Sequence, residues 1–255
     1  MSNPDKTRRP QAIMSVVGTN SLHLRHPAIM AFWSFAFPGF GHLLLHKYIR
    51  GYLLILWEMV INIKAEVNLS MYYSFTGQFE LAKQTIDLRW YLLYTSVFVF
   101  AIWDSYRTTV DSNNLFTLAR REGAPISAFK MNVLEFNYLD KRKPWNSAIW
   151  SALMPGTGQL LIHRIPTAFF ILIWWIAIAY YSHLIQGFHY TLLGDFSKAT
   201  KVLDVHWLLF MPSIYMFSIY DAYINTVEFN KVFESEQASF LKKGYQNENF
   251  VMPLN

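Results

Sequence analysis

Cysteine is absent from the 255 residues, and charged side chains make up only 15% of them. The first absence excludes disulfide scaffolds, thiol nucleophiles and Cys-ligated metal sites. The second, beside 53% apolar and 18% aromatic residues, excludes intrinsic disorder, which needs charge and few aromatics. Catalytic signatures are also missing. The sequence contains no G-x-S-x-G, no phosphate loop, no H-E-x-x-H and no C-x-x-C, so no enzymatic activity and no cofactor is expected. No compact basic domain stands out to hold a nucleic acid. The net charge of +5 reads instead as topology and attraction to anionic lipid, about 1 kcal/mol per basic residue near the surface.

What is present is apolar length. A helix needs about 20 mostly apolar residues to cross a bilayer. Six stretches come near that: 28–45, 48–63, 90–106, 145–162, 165–186 and 205–222. The fifth contains FFILIWWIAIAYY, apolar all round, where a buried helix of a soluble protein would keep a polar stripe. Residues 1–26 carry Lys6, Arg8, Arg9 and Arg25 without an apolar core. They read as a basic arm beside a membrane, not as a leader.

Shifted by 117 residues, the chain matches itself without a gap from residue 27 to about 116. Pro38, Gly39 and Gly41 fall on Pro155, Gly156 and Gly158; Leu43, Leu44 and His46 fall on Leu160, Leu161 and His163. Trp33, Trp57 and Trp90 meet Trp150, Trp174 and Trp207, and Asp87 and Asp104 meet Asp204 and Asp221. Chance likeness of apolar segments would not hold Pro, Gly, Trp and Asp in register, so the reading is a tandem duplication. The expected divisions are a basic cytoplasmic arm 1–26, a repeat 27–116, a cytoplasmic linker 117–143, a repeat 144–233 and a cytoplasmic tail 234–255.

Each repeat holds three elements. The first carries Pro-Gly-x-Gly and should break, because Pro lacks an N–H and each Gly weakens a helix. The other two are cleaner helices, the last of them capped by Asp87 or Asp204. Three full spans per repeat would divide the 22 Lys and Arg evenly across the membrane. With two spans per repeat only Lys64, Lys83, Arg89, Lys198 and Lys201 fall outside, which the positive-inside rule favours. The expected fold is therefore an all-α integral membrane protein. It has two tandem repeats, each a broken re-entrant or interfacial helix plus two transmembrane helices, related by a pseudo-two-fold axis. Both termini lie in the cytoplasm, at the cell membrane.

The polar residues fit that frame. His46-Lys47 and His163-Arg164 leave the broken element at the cytoplasmic face, and Asp104 and Asp221 lie near the cytoplasmic end of the last helix. A carboxylate at such depth needs a partner, so these six residues are read as two polar clasps. Glu58 is the one acidic residue deep in a span, and it is the candidate intramembrane functional residue or the partner of a polar gap. His42 and His46 have i,i+4 spacing suited to a metal. However, Gln159 replaces His42 in the second repeat and no Cys or Glu stands near, so no metal is expected.

The pattern of Pro-Gly-x-Gly, a basic residue six positions on, then two spans ending in Asp-x-Tyr resembles the TM-two (two-transmembrane) domain family. Pro38, Gly39, Gly41, Lys47 and Asp104 match, as do Pro155, Gly156, Gly158, Arg164 and Asp221. Where the family has an aromatic pair and a Gly before the basic residue, this chain has Leu43, Leu44 and His46, and Leu160, Leu161 and His163. The resemblance implies a paired-helix membrane module and supplies no reaction. The expected function is an assembly, scaffold or regulatory subunit of a membrane complex. Its partners would be the lipid bilayer and another membrane protein. The alternative is a small transporter or channel with a polar path between the repeats.

Overall fold

A computed structural model of the chain describes residues 8–133 and 135–246. Lys6 of the expected basic arm and the last nine residues of the expected tail lie outside the described residues. The chain opens with a hairpin, β1 (Ala12–Ser15) and β2 (Gly18–Ser21). Six helices follow: α1 (Pro27–Ala36), α2 (Phe40–Leu44), α3 (Tyr48–Ala65), α4 (Val67–Phe75), α5 (Phe79–Thr85) and α6 (Leu88–Glu122). A second hairpin, β3 (Phe129–Met131) and β4 (Phe136–Tyr138), leads to α7 (Pro144–Leu153), α8 (Thr157–Leu161) and α9 (Ile165–Tyr181). The last described elements are α10 (Leu184–Leu192), α11 (Phe196–Val202), α12 (Val205–Leu208) and α13 (Met211–Gly244). The fold is mostly helical, as expected, and two short hairpins add to the all-α expectation. The expected basic arm and linker each carry one hairpin, and Asn137 of β4 donates to Ser15 O of β1 at 2.8 Å, which ties the two together. Helices α6 and α13 also run through the expected boundaries at 116 and 233.

The helix ends follow from local chemistry. Pro27 and Pro144 start α1 and α7, where a missing N–H costs nothing. Pro38 and Pro155 follow their ends, and Gly39 and Gly156 take φ of 102° and 101°, a region open to glycine. Asp87 caps α6 by accepting from Arg89 N and Trp90 N at 2.9 and 3.2 Å. Asp204 caps α12 by accepting from Trp207 N at 3.2 Å. Helix bounds of the first half recur 117 residues on for α1, α2, α4 and α5. So do the positive φ values at His46 and His163 and at Glu66 and His183. Such φ is costly for a residue with a Cβ, and its recurrence marks two identical bends.

No single helix among the described residues is long and apolar enough to cross a membrane. Three bent pairs meet that length and composition together: α5 with α6, α9 with α10, and α11 with the helix running Val205–Gly244. Charge explains α3, whose 18 residues include Arg50, Glu58 and Lys64. Tyr and Trp explain the start of α6, since they add little mean hydropathy.

In the main core α3 meets α9 across the halves, with the Tyr52 and Phe170 rings 4.3 Å apart, and the broken elements join the halves in one direction only. Trp33, Phe37 and Phe40 of the first broken element pack on Phe210 and Phe217 of the second half, with ring centroids 3.9 Å apart for Phe40 and Phe217. Among the described residues no aromatic contact runs the other way, from α7 or α8 to α3 or α6. The docking of the broken elements thus departs from the expected pseudo-two-fold axis, because a two-fold would repeat each contact with the halves exchanged.

Candidate functional site

Each half buries one carboxylate where its last helix passes its broken element. Asp221, fully buried, accepts two bonds from Arg164 Nη1, both at 2.7 Å. Gln159 Nε2 donates to it at 3.0 Å and Asn225 Nδ2 at 2.8 Å. The whole carboxylate is therefore paired and hydrogen-bonded, as a buried charge requires. Asp104 is held differently. Arg50 Nη1 reaches it at 2.6 Å and His42 Nε2 at 2.9 Å.

These geometries sort the six expected clasp residues. Arg164 and Asp221 meet. Lys47 does not reach Asp104; it is exposed before α3, and Arg50, one turn further on, takes its role. His46 and His163 also do not reach the carboxylates. Their positive φ turns them toward β1–β2, where His163 Nε2 donates to Val16 O at 2.6 Å. The ring of His46 lies between the Asn20 and Asn225 side chains, at 2.8 and 3.2 Å. Pro38, Gly39 and Gly41, like Pro155, Gly156 and Gly158, sit at the breaks and close approaches of the first elements.

Sequence reasoning missed several partners. Arg25 is buried and donates to Asn225 Oδ1 at 3.1 Å, the same atom that His46 faces. Segment 25–46 thus leaves and returns to one level. Arg25 N and O are bracketed by the Asn113 amide at 2.9 and 2.8 Å, and Arg142 N and O by the Asn230 amide at 2.9 and 2.7 Å. Both pairs keep the offset of 117, so the match could have been extended two residues upstream to reveal them. Glu58 accepts from Tyr94 Oη at 3.1 Å and Asn62 Nδ2 at 3.2 Å. Asn62 leads to Asn68, which donates to His206 O across the halves at 3.0 Å. Among the described residues Glu58 has no cation within ion-pair reach, and no His, Asp and Glu cluster suits a metal.

The N-terminal strap gives a pH prediction. Burial, then Arg164 and Arg25, push the His46 pKa from 6.5 down to about 3. Burial, then Arg25, also pushes His23 well below 6.5. Below pH 6.5 the unfolded chain takes up protons that folded His46 refuses. Its contribution is therefore complete above about pH 6.5 and falls below it, by up to about 1.4 kcal/mol per pH unit for each histidine. The melting temperature in detergent is expected to fall between pH 7.5 and 5.5, and His46→Gln to flatten that slope.

Comparison with protein-family models, with curated proteins and with solved structures found no match.

Proposed function

We propose that this chain is a multi-pass membrane protein built from two duplicated modules, and that it serves as a scaffold or assembly subunit of a membrane complex. One observation carries the membrane reading. Beside the apolar core, charged groups are buried and large apolar side chains are exposed beyond what a soluble protein tolerates. Arg25, Asp104, Arg164, Asp221 and Glu58 are buried, while Phe32, Leu53, Leu153, Ile173 and Ile176 stand more than half exposed. Water would penalise both, and a lipid solvent penalises neither. The TM-two resemblance of the Pro-Gly-x-Gly segments agrees with this reading.

The return of segment 25–46 to the level of Asn225 supports a re-entrant first element, and hence four spans with both termini on the cytoplasmic side. Irregular backbone at membrane depth is tolerated where protein covers it, and Gly39 and Phe40 are covered by α3 and α13. The scaffold role rests on the pairing of both buried aspartates with bases of their own half, Asp104 with Arg50 and Asp221 with Arg164, which leaves neither carboxylate free to bind a solute or relay a proton.

Two measurements test the proposal. The chain lacks cysteine, so single cysteines report cleanly. Membrane-impermeant maleimide applied from outside should label Ser74→Cys and Ser197→Cys and spare Ser127→Cys; the reverse pattern would overturn the topology. Purification in mild detergent should retain a stoichiometric partner whose assembly fails in a deletion strain. A chain that purifies alone, with neighbouring complexes intact, would refute the scaffold role.

A further inference from the structure

The docking of the broken elements between the halves is one-sided, and each side has an unused equivalent. Leu43 and Leu44 of the first broken element are 0% exposed, whereas Leu160 and Leu161 are 40% and 41% exposed. Trp33 is 9% exposed and Trp150 is 53%. On the gripping side Phe217 and Phe210 are 0% and 2% exposed, while Phe100 and Leu93 are 48% and 43%. The equivalent of Tyr220, which packs on Trp33 at 4.9 Å, is Trp103, 54% exposed.

Each half therefore owns a face that takes the other's helix and a helix that fills the other's face. Within one chain only one such pair is made. The second half offers an empty face built from Trp150, Leu160 and Leu161. The first half offers an unused helix carrying Leu93, Phe100 and Trp103. A heterologous contact of this kind does not close on itself and continues until a ring or filament forms.

We infer that the empty face of one copy takes the unused helix of a second copy of this chain, with Trp150 of one chain against Phe100 and Trp103 of the next. The occupant is identified by continuity with the interface already formed between the halves, which the same side-chain positions build. Thr157 stands where Phe40 stacks on Phe217, so the contact between copies lacks that ring pair and is weaker than the internal one. No carboxylate lies among the named positions, and the Arg107 guanidinium, 5.2 Å from the Trp103 ring, flanks the contact at one edge. The inference rests on the equivalence of the halves and not on the scaffold role.

Disulfide trapping in native membranes tests it. The chain with both Trp150→Cys and Trp103→Cys, oxidised with copper phenanthroline, should give a ladder of dimers and higher species. Either single variant should stay monomeric, because a head-to-tail contact never brings a position against itself. Ile173→Cys with Trp103→Cys, the first on a lipid-facing side, should also stay monomeric. A ladder from a single variant would indicate a symmetric dimer and overturn the proposal. So would crosslinking to a different protein, or no crosslink at all, the result expected if lipid alone covers the face. If tryptophan removal harms folding, native mass spectrometry of the unaltered chain in nanodiscs decides. It should show more than one copy per disc, and a strict monomer would refute the contact. The maleimide labelling is independent of all these outcomes.

Discussion

Asp221→Ala is expected to destabilise the protein by about 3–5 kcal/mol, the usual cost of stranding one member of a buried ion pair. Arg164 is 4% exposed and would keep its charge with a long bond to Leu43 O, at 3.4 Å, and the Tyr48 ring 5.8 Å away, but no anion, to hold it. Gln159 and Asn225 would each lose one acceptor and keep a backbone one, Ser218 O at 2.8 Å and the residue-221 carbonyl at 2.9 Å. The same change at Asp104 should cost distinctly less. Arg50 has half its side chain in solvent and can rehydrate, so only His42 is left buried without its partner. Equilibrium unfolding in mixed micelles measures both. The double variant Arg164→Met with Asp221→Leu should recover most of the loss, since apolar replacement of a buried pair is often neutral. Equal losses at the two aspartates would show that burial of the base does not set the cost.

Gly39→Ala is expected to cost about 2–5 kcal/mol, the sum of overpacking at about 1–3 and left-handed strain at about 1–2. A Cβ at Gly39 would stand 2.5 Å from Gly51 O and 2.8 Å from Ile55 Cγ1, with φ held at 102°. The backbone oxygen cannot move aside as a side chain would. Gly41 and Gly158 predict losses from contact alone. Their added Cβ atoms would strike Met30 O and Ser147 O, backbone atoms of the helix before each break. Gly77 is the control. It shares a positive φ, 78°, but has nothing within 4 Å, so alanine there should cost only about 1–2 kcal/mol. Unfolding midpoints of the four variants, measured together, separate contact from strain.

Both predictions turn on features of different visibility. The breaks at Pro38-Gly39 and Pro155-Gly156 were legible because they depend on a missing N–H and a permitted φ, properties of the residues themselves. The caps Asp87 and Asp204 were legible for the same reason, since the acceptor and the donors lie within three residues. The partner of Asp104 was not. Lys47 and Arg50 are equally basic and three residues apart, and only the rotation of α3 about its axis chooses between them. Arg25 with Asn225, 200 residues apart, carries no local signal at all.

The hairpins were not legible in the sequence. β1 and β2 pair over four residues each and make no independent fold. They persist because His163 and Ile165 bind the carbonyls of Val16 and Val17 from another part of the chain. The one-sided docking of the broken elements has the same character. Self-comparison of the sequence reveals equivalence and says nothing about how equivalent parts dock. The absence of cysteine and the scarcity of charge determined what chemistry was closed to the chain, and its internal periodicity determined where helices break. The packing of Phe40 on Phe217, a contact between residues 177 positions apart, decided which face was filled and which was left open. Such contacts are fixed by the volumes and rotations of whole helices, which no short stretch of sequence encodes.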